Sequence, residues 1–492
     1  MTFIFVFLGT SIASITILKV AQKIKQAQKE QRIESIQTLH TIQKEFNKYK
    51  YQEYLEQAWI EQYLYDIEEI VKKDKKIIKE LDPKSLPDII AIIKEKEEGV
   101  AQLQDAFIQQ ELKSYGDFFN TLEEHPLTPM QRLAVITHEE NNLILAGAGS
   151  GKTSVILAKV AYLLEKNYAD PSEILILSFN KKAQEELMER TKKLGVEINI
   201  KTFHALGRDI VMQTYEVEES IEFDEMISLA TQALQERDYL SPYLYLLVDE
   251  FQDISEDRNQ LLLALKEQND ANLTAVGDDW QAINAFAGSD ISLIQNFQDI
   301  YGYTKVIKLD YTFRFNQEIA DLSQKFILKN PQQIDKEIKT IKESNTPSLY
   351  LYHYNKTKEI DQAISTILQL INNKTEKEKS VMILSRYGFQ KPKNIEELQA
   401  QFPTLKLHSS TIHASKGLEA DYIILTHLKS GKFGFPSEIE EKSDEFLYAE
   451  ERRLFYVAMT RAREKIFFVT HRKKPSCFME EVMGEGSFVG IH

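Results

Sequence analysis

A glycine-rich segment at residues 146–154, Ala-Gly-Ala-Gly-Ser-Gly-Lys-Thr-Ser, directly follows the apolar run Leu143-Ile-Leu145. A short buried strand, a glycine turn and a helix start form the context of the phosphate-binding pattern G-x-x-x-x-G-K-[ST]. Its glycines let backbone N–H groups point at phosphate oxygens, its lysine contacts the β and γ phosphates, and its threonine hydroxyl binds Mg²⁺. A helix dipole adds partial positive charge at the same place. The segment therefore predicts a nucleoside triphosphate site formed by Gly147, Ala148, Gly149, Ser150, Gly151, Lys152, Thr153 and Ser154.

Two adjacent carboxylates end a second apolar run about a hundred residues later, in Leu246-Leu-Val-Asp-Glu-Phe-Gln-Asp253. An aspartate at the end of a buried strand is the second Mg²⁺ holder of phosphate-loop enzymes, which is the role predicted for Asp249. Glu250 can polarise a water that attacks the γ-phosphate. Alone, an Asp-Glu pair after a strand also fits a helix cap. Together with the phosphate-binding loop, the pair predicts hydrolysis of the nucleotide.

Composition excludes several other classes of protein. The single cysteine, Cys477, excludes a disulfide framework and any cysteine-based zinc site, and the ten histidines show no metal-ligand spacing. A net charge of −15 argues against nucleic-acid binding through bulk charge, although a local basic or aromatic channel remains compatible with it.

The N-terminus carries an uncharged run, Phe3–Leu18, followed by Lys19, Lys23, Lys25, Lys29 and Arg32. Counted through Ala21, the run approaches the lower limit for spanning a bilayer. Because the basic residues follow the run, the positive-inside rule places the rest of the chain at the cytoplasmic face of the cell membrane. A cleaved signal peptide and a buried core helix are the alternatives, and the second makes the protein simply cytoplasmic. Residues 1–21 are predicted to be a transmembrane helix.

Residues 22–118 are rich in Gln, Glu, Lys, Ile and Tyr and almost lack glycine. Apolar residues recur at helical spacing and predict two or three long amphipathic helices, broken near Pro83 and Pro87. Such helices can serve as a stalk or as a docking surface for a protein partner. The residues with this spacing are Leu39, Ile42, Phe46, Tyr49, Leu55, Trp59, Ile67 and Ile70.

From Leu127 onward, short apolar strands alternate with helices, which predicts an α/β fold with parallel sheets covered on both faces. Catalytic residues in such sheets lie at the carboxyl ends of strands. The candidate strands are Leu143–Leu145, Ile174–Ser178, Tyr245–Val248, Leu273–Val276, Val381–Leu384 and Tyr422–Thr426.

The ordered motifs of the chain resemble those of superfamily 1 helicases of the UvrD/Rep type, over about residues 119–475. Within that family, the motif sequences GDDWQAI, TFRFN and TIHASKG are most similar to those of bacterial DNA helicase IV. The resemblance implies two RecA-like domains, at residues 119–298 and 299–492. The motifs begin at Leu127, Ala146, Ser178, Thr202, Asp249, Val276, Leu309, Thr411 and Glu450.

The resemblance also implies roles for individual residues around ATP. Gln131 matches the glutamine that reads adenine, and Phe313 matches the aromatic residue that stacks on it. Glu419 matches the carboxylate that binds the ribose hydroxyl, and Gln281 matches the γ-phosphate sensor. The residues that match the two arginines stabilising the transferring phosphate are Arg314 and Arg461.

Contacts to single-stranded DNA are implied at Phe179, at Phe203 or His204, at Phe286 and at His413. Aromatic rings suit this role because stacking is indifferent to base identity. The chain departs from the family at three positions. Asn284 replaces a stacking tyrosine, Ala287 replaces a common arginine, and Trp280 stands where many members have aspartate, so that it either extends the DNA surface or packs internally.

The intervals between motifs are short, with about 45 residues between Thr202 and Asp249 and about 95 between Arg314 and Thr411. Neither interval holds a full accessory domain. The first predicts two helices, one of them at Glu222–Arg237, and the second predicts the start of the second RecA-like domain.

We therefore expect an ATP- and Mg²⁺-dependent DNA helicase or translocase that moves 3′ to 5′ on single-stranded DNA, as the resemblance implies. The alternative is a DNA-stimulated ATPase that acts as the sensor subunit of a membrane-associated or nuclease-containing complex. An interaction protein with an inactive nucleotide site is disfavoured because the motif residues are all present.

Overall fold

A computed structural model describes residues 2–51, 54–73, 97–216, 221–344, 346–374, 377–438 and 448–491. The chain divides into two compact units. One comprises residues 1–116 together with 137–140, and the other comprises residues 117–136 and 141–492.

The first unit is helical, as the apolar spacing predicts. Its elements are α1 (Thr2–Tyr51), α2 (Gln57–Lys73) and α3 (Glu97–Ser114). A buried apolar cluster joins the three helices, because six of the predicted residues turn inward together with Val100. Those six are Leu39, Ile42, Phe46, Leu55, Trp59 and Ile67. Gln104 reinforces the cluster by donating its amide to the Leu55 carbonyl at 2.9 Å and to Glu139 at 2.8 Å.

The predicted transmembrane run lies outside the described side chains, since those of α1 are described only from Lys19 onward. In the part of the chain that the structure does describe, none of the helices has the length and apolarity that a bilayer crossing requires. The predicted helix breaks at Pro83 and Pro87 also lie outside the described residues.

The second unit opens with α4 (Gly116–Thr121) and α5 (Pro129–Ile136) and then forms two parallel sheets. The first sheet has the order β3-β2-β4-β5-β1-β6. Its strands are β1 (Asn141–Ala146), β2 (Ile174–Ser178), β3 (Asn199–Thr202), β4 (Tyr245–Val248), β5 (Asn272–Gly277) and β6 (Lys305–Leu309). Its helices are α6 (Lys152–Glu165), α7 (Lys181–Lys193), α8 (Phe203–Thr214), α9 (Phe223–Gln235), α10 (Glu256–Asn269), α11 (Ser292–Gln295) and α12 (Phe297–Tyr301).

The second sheet has the order β11-β10-β12-β13-β9-β14. A connecting segment precedes it, with β7 (Tyr311–Thr312), α13 (Gln317–Ile327) and β8 (Lys339–Thr340). Its strands are β9 (Leu349–Tyr354), β10 (Lys379–Ser385), β11 (Leu405–Thr411), β12 (Ala420–Leu428), β13 (Ala462–His471) and β14 (Val489–Ile491). Its helices are α14 (Ile360–Lys374), α15 (Ile395–Gln401), α16 (Ala449–Met459) and α17 (Cys477–Glu485).

The α/β prediction is confirmed, and all six predicted strands lie inside observed strands. Strand β6, which follows the predicted boundary between residues 298 and 299, pairs in parallel with β1 and completes the first sheet. Strand β6 alternates exposed lysines with buried Ile307 and Leu309, as an edge strand does, and so lacks a continuous apolar run.

The two short intervals between motifs, Thr202 to Asp249 and Arg314 to Thr411, contain the elements predicted for them: helices in the first and the start of the second sheet in the second. Helices α8 and α9 fill the first interval and pack into the core of the first sheet. The second interval contains strands β9, β10 and β11 of the second sheet. Neither interval forms a separate accessory domain within the described residues.

Candidate active site

The phosphate-binding loop connects the buried end of β1 to the start of α6 at Lys152. Gly149 and Gly151 have φ angles of 74° and 80°, a left-handed conformation that glycine adopts without strain. A β-carbon at Gly149 would lie 2.5 Å from the Arg314 β-carbon, so only glycine fits beneath this residue. The Ser150 hydroxyl closes the loop by donating to the Gly147 carbonyl at 2.8 Å. The glycine conformations and this internal hydrogen bond therefore define the shape of the loop.

The loop forms the floor of a cavity of about 450 Å³, whose walls come from both sheets. The cavity brings together fourteen of the residues that the sequence assigns to ATP. These are Gln131, Gly147, Ala148, Gly149, Ser150, Gly151, Lys152, Thr153, Ser154, Glu250, Gln281, Phe313, Arg314 and Arg461.

Lys152 and Glu250 face each other inside this cavity, with Lys152 Nζ 3.2 Å from Glu250 Oε2. Gln252 Nε2 donates to the same carboxylate oxygen at 2.6 Å. Burial by itself would raise the pKa of Glu250, but Lys152, Lys416 and this hydrogen bond outweigh it and hold the pKa well below its ordinary value. Glu250 is therefore ionised at neutral pH, as a group that accepts a proton must be.

Asp249 lies beside Glu250 at the end of β4 and is only 5% exposed. Burial, followed by the neighbouring Glu250 charge, raises the pKa of Asp249. A divalent cation at this carboxylate offsets both effects. The Asp249 carboxylate and the Thr153 hydroxyl supply the oxygen ligands that Mg²⁺ prefers, so the residues present fit this ion.

Gln281 is one of the residues through which the first sheet contacts the second at the cavity. Its Nε2 donates to Asp278 Oδ2 at 2.5 Å, and its Oε1 accepts from Arg461 Nη2 at 3.0 Å. Asp278 is in turn held by the buried ammonium group of Lys336 at 2.6 Å. The orientation of the Gln281 amide is therefore set on both sides, by a buried carboxylate and by an arginine from the other sheet.

Arg461 is almost completely buried, and its remaining donors bind the carbonyl oxygens of Val457 at 3.0 Å and Leu418 at 3.2 Å. Burial and the nearby Arg314 lower the pKa of Arg461 to about 9, which leaves the guanidinium charged at neutral pH. The side chain thus presents a fixed positive charge to the cavity from the second sheet.

Arg314 reaches the same cavity and pairs with Glu419, whose Oε2 lies 2.7 Å from Arg314 Nε. Arg463 binds the other oxygen of this carboxylate at 2.5 Å. Glu419 therefore bridges two arginines and lies outside the cavity wall. Its Oε2 atom, which accepts one hydrogen bond, keeps acceptor capacity for the implied ribose hydroxyl.

The two residues expected to contact adenine, Gln131 and Phe313, line the cavity from α5 and from the segment after β6. Gln131 Oε1 accepts from the Thr128 amide at 2.8 Å, and Gln131 Nε2 donates to the Ser150 carbonyl at 3.0 Å. The side-chain amide is thus already oriented by the loop that binds phosphate. Phe313, half-buried, is fixed by its backbone N–H, which donates to the Gly149 carbonyl at 2.8 Å.

The two sheets present opposite edges to the nucleotide. In the first sheet, the loop, Asp249 and Gln281 all follow the carboxyl ends of strands. In the second sheet, Glu419 and Arg461 directly precede β12 and β13 and so lie at the amino ends of their strands. The expectation that every motif lies at a carboxyl edge is therefore wrong for the second sheet, because its arginines approach the phosphates from across the cavity.

Sequence reasoning assigned no role to Lys416, which joins the two sheets directly. Its ammonium group lies 2.7 Å from both oxygens of Asp253 and 2.9 Å from the Gln281 carbonyl oxygen. Lys416 lies in the motif that begins at Thr411, and Asp253 ends the segment Leu246–Asp253. Their positions in these motifs were the sequence signal that could have indicated a role. A second overlooked residue is Arg190, which lines the cavity and binds Glu123 at 2.7 Å and the Ser154 hydroxyl at 3.0 Å.

The DNA-contact candidates on the first sheet differ in accessibility. Phe203 is 2% exposed and belongs to the apolar core, so its ring is not accessible to DNA, contrary to the prediction. His204 is exposed and stacks on Phe223 at 5.0 Å between ring centroids. Phe179 is half-buried beneath the guanidinium of Arg258, 5.5 Å from its ring centroid. Of the two residues Phe203 and His204, one of which was predicted to contact DNA, His204 is the accessible one.

Phe286, which is exposed, and His413, which is half-buried, form a pair of rings that spans the two sheets. The Phe286 side chain is 76% exposed, and its ring centroid lies 5.4 Å from that of His413. Burial, followed by the charges of Arg386 and Lys416, lowers the pKa of His413 to about 4. The imidazole is therefore neutral at pH 7 and offers a ring rather than a charge.

The three departures from the family pattern have different structural outcomes. Trp280 packs internally, with its indole N–H donating to the Ile334 carbonyl at 3.0 Å. Asn284 hydrogen-bonds the Asp253 carboxylate rather than presenting a ring. Ala287 is exposed and carries no phosphate-binding group. This part of the surface therefore offers Phe286 as its accessible ring.

Comparisons with known proteins agree with this site. Residues 131–287 match the AAA domain family, and residues 392–473 match the UvrD-like helicase C-terminal domain family. DNA helicase IV of Escherichia coli (strain K12) is 30% identical over 518 residues, which covers 79% of this chain and 75% of that protein.

More distant relatives align over a smaller part of the chain. The ATP-dependent DNA helicase PcrA of Leuconostoc citreum is 26% identical over 54% of this chain and 47% of its own length. The putative ATP-dependent DNA helicase YjcD of Bacillus subtilis (strain 168) is 26% identical over 49% of this chain and 44% of its own length. The chain thus spans less than half of these two proteins but three quarters of DNA helicase IV.

Proposed function

Because the chain belongs to the UvrD-like superfamily 1 DNA helicases, the family of DNA helicase IV, we propose that it moves 3′ to 5′ along single-stranded DNA by hydrolysing ATP. One observation carries this proposal: Arg461 of the second sheet binds Gln281 of the first at 3.0 Å, directly above the phosphate-binding loop. Hydrolysis there depends on the distance between the two sheets. Cycles of nucleotide binding and release can therefore be converted into relative motion.

The chemistry follows from the residues around the cavity. Lys152 and the loop amides bind the phosphates, and Glu250 orients and deprotonates the attacking water. Arg314 and Arg461 stabilise the negative charge that spreads over the transferring phosphoryl group. Mg²⁺, held by Thr153 and Asp249, supplies further positive charge at the phosphates when it is bound. The Lys152 to Glu250 ion pair must open as the lysine turns toward the phosphates.

A path for the single strand crosses both sheets along two exposed rings, His204 and Phe286, and two half-buried rings, Phe179 and His413. His204 and Phe179 lie at the carboxyl ends of β3 and β2, and Phe286 and His413 join the path to the second sheet. Stacking on such rings tolerates any base and can pass from one nucleotide to the next. Lys416, which contacts the Gln281 carbonyl, immediately follows residues 413–415. DNA bound at His413 and ATP bound near Gln281 therefore contact the two ends of one short segment.

Single-stranded DNA is expected to raise the ATP turnover number severalfold or more, because both ligands favour the arrangement in which Arg461 meets Gln281. Steady-state hydrolysis with and without oligothymidylate measures this effect, and an equal concentration of oligouridylate is the matched control. Equal rates with and without DNA would contradict the motor, and stronger stimulation by RNA would change the substrate class.

A strand-displacement assay then separates a helicase from a DNA-stimulated sensor ATPase, which hydrolyses ATP without unwinding.

We further propose that the N-terminus attaches the chain to the cytoplasmic face of a membrane. The run Phe3–Leu18 is uncharged, and the basic residues that follow it are exposed on α1. Each such cation contributes about 1 kcal/mol of attraction to anionic headgroups. The helices of residues 22–118 would then act as a spacer or as a surface for a protein partner.

Full-length protein is expected to sediment with membranes and to resist extraction by high salt. A chain beginning at Gln22 lacks the uncharged run but keeps the basic residues from Lys23 onward, and should be found in the soluble fraction with its ATPase activity intact. Comparing the two by fractionation in parallel isolates the contribution of the run. Full-length protein that stays soluble without detergent would favour docking of the run onto protein.

A further inference from the structure

Three aromatic side chains outside the motifs quoted above form a cluster: Tyr387, Phe389 and Phe433, called here the aromatic triad. The rings of Tyr387 and Phe389 stack at 5.4 Å with an interplanar angle of 15°. Phe433 meets Phe389 edge-on at 5.4 Å and Tyr387 edge-on at 5.8 Å. The Phe389 and Phe433 side chains are nevertheless 65% and 46% exposed. The triad is therefore ordered by its own contacts and still open to solvent.

Hydrogen bonds hold the two loops of the triad together. Gln390 Nε2 donates to the Phe433 carbonyl oxygen at 2.8 Å, and the Tyr387 and Ser437 hydroxyls are 2.5 Å apart. Arg386 binds Glu451 at 2.7 Å and places its guanidinium 4.9 Å from the Tyr387 ring centroid. A surface whose rings are fixed in advance loses little conformational entropy when it binds a flat ligand.

The triad lies on the same edge as the path already described. Residues 386–390 follow β10, and residues 429–437 follow β12, so both loops leave the carboxyl edge of the second sheet. The His413 loop leaves the same edge from β11, which pairs with β10 through Ser385 and Thr411. The Phe286–His413 pair and the triad are therefore neighbours along one edge.

Cations outnumber carboxylates in the residues next to the triad. Residues 386–394 and 429–438 contain five Lys or Arg residues, of which Arg386 is paired with Glu451, and one carboxylate, Glu438. The acidic residues Glu440, Glu441, Asp444 and Glu445 come later in the connection that follows β12. Lys391, Lys393 and Lys432 are exposed, and Lys432 Nζ lies 5.6 Å from the Phe433 ring centroid. Exposed rings interleaved with lysines match the alternation of bases and phosphates in a single strand.

We propose that the aromatic triad is a stacking site for a base of single-stranded DNA, with the exposed face of Phe389 as the platform and the neighbouring lysines at the phosphates. This inference rests on the proposed function and extends its DNA path beyond His413. It supplies a stacking platform on the second sheet, in a protein whose Asn284 and Ala287 offer neither a ring nor a cation on the first.

Phe389→Ala is expected to weaken binding of fluorescein-labelled oligothymidylate about 5- to 150-fold, the range for loss of one base stack. Fluorescence anisotropy with the full chain measures the dissociation constant. An abasic oligonucleotide of the same length should bind the variant and the native protein equally, because it has phosphates but no bases. Phe389→Tyr should restore tight binding, since it keeps the ring. Tyr65→Ala, which removes a side chain 69% exposed on α2, is the control for loss of a surface aromatic residue.

Unchanged affinity of Phe389→Ala for oligothymidylate would overturn the stacking site, as would an equal loss on the abasic strand. If DNA still stimulates hydrolysis by the native protein in either case, the proposed motor stands and only the triad is reassigned, for example to protein docking. If DNA neither binds nor stimulates the native protein, both proposals fall.

Discussion

Glu250→Gln is expected to lower the ATP turnover number by about 10²- to 10⁴-fold, the contribution typical of a positioned general base. The amide keeps the size of the side chain but cannot accept the proton of the attacking water. Since the substitution also removes the ionic partner of Lys152, 3.2 Å away, the lysine becomes free to bind phosphate. ATP affinity should therefore be preserved or increased, although turnover is lost.

Steady-state hydrolysis at saturating ATP and DNA, together with equilibrium binding of a fluorescent ATP analogue, measures both parts of this prediction. Glu186→Gln is the matched control, because it removes one carboxylate charge from the same cavity without touching Lys152. Lys152→Ala should lose hydrolysis through weaker phosphate binding, and so differ from Glu250→Gln in affinity. Turnover at the native rate in Glu250→Gln would show that another group acts as the base.

Arg461→Ala is expected to lower the turnover number by about 10³- to 10⁵-fold, as removal of an arginine finger does. The side chain contributes charge from the second sheet and binds Gln281 directly, the residue expected to sense the γ-phosphate. Arg461→Lys should recover little, because a lysine cannot reproduce the three donor contacts to Val457, Leu418 and Gln281.

Because Arg461 is buried, its variants need a test of folding beside the test of activity. Thermal unfolding shows whether Arg461→Lys is folded at the assay temperature, and its midpoint should fall because buried acceptors lose their donor. The affinity for ADP reports on the phosphate-binding loop and should remain near native. Arg472→Ala, at the exposed far end of β13, controls for loss of an arginine. Native turnover in a folded Arg461 variant would remove this residue from the catalytic group and would break the proposed link between sheet closure and hydrolysis.

Local patterns in the sequence were sufficient for the chemistry and for much of the fold. The phosphate-binding loop is recognisable because its glycines, lysine and threonine act through backbone geometry over a few residues. The predicted strands are continuous apolar runs, which the structure buries on both faces. Six strands of the two large sheets were not revealed by the pattern because they mix polar with apolar residues: β3, β6, β9, β11, β13 and β14. Four of these, β3, β6, β11 and β14, lie at sheet edges.

Tertiary structure decided which side chains meet and which are exposed. Phe203 and His204 are adjacent in sequence, yet α8 turns the first into the core and the second to solvent, a difference that only the packing of the helix determines. Lys416 and Asp253 are 163 residues apart, and no local pattern indicates that their charges meet. The aromatic triad likewise joins loops about 45 residues apart, which become neighbours only because β10 and β12 pair in parallel. The sequence by itself determined the reaction, since catalytic groups are conveyed by residue type and short spacing. The fold determined the opposite edges that the two sheets present to ATP and the surface open to DNA, because these depend on contacts between distant segments.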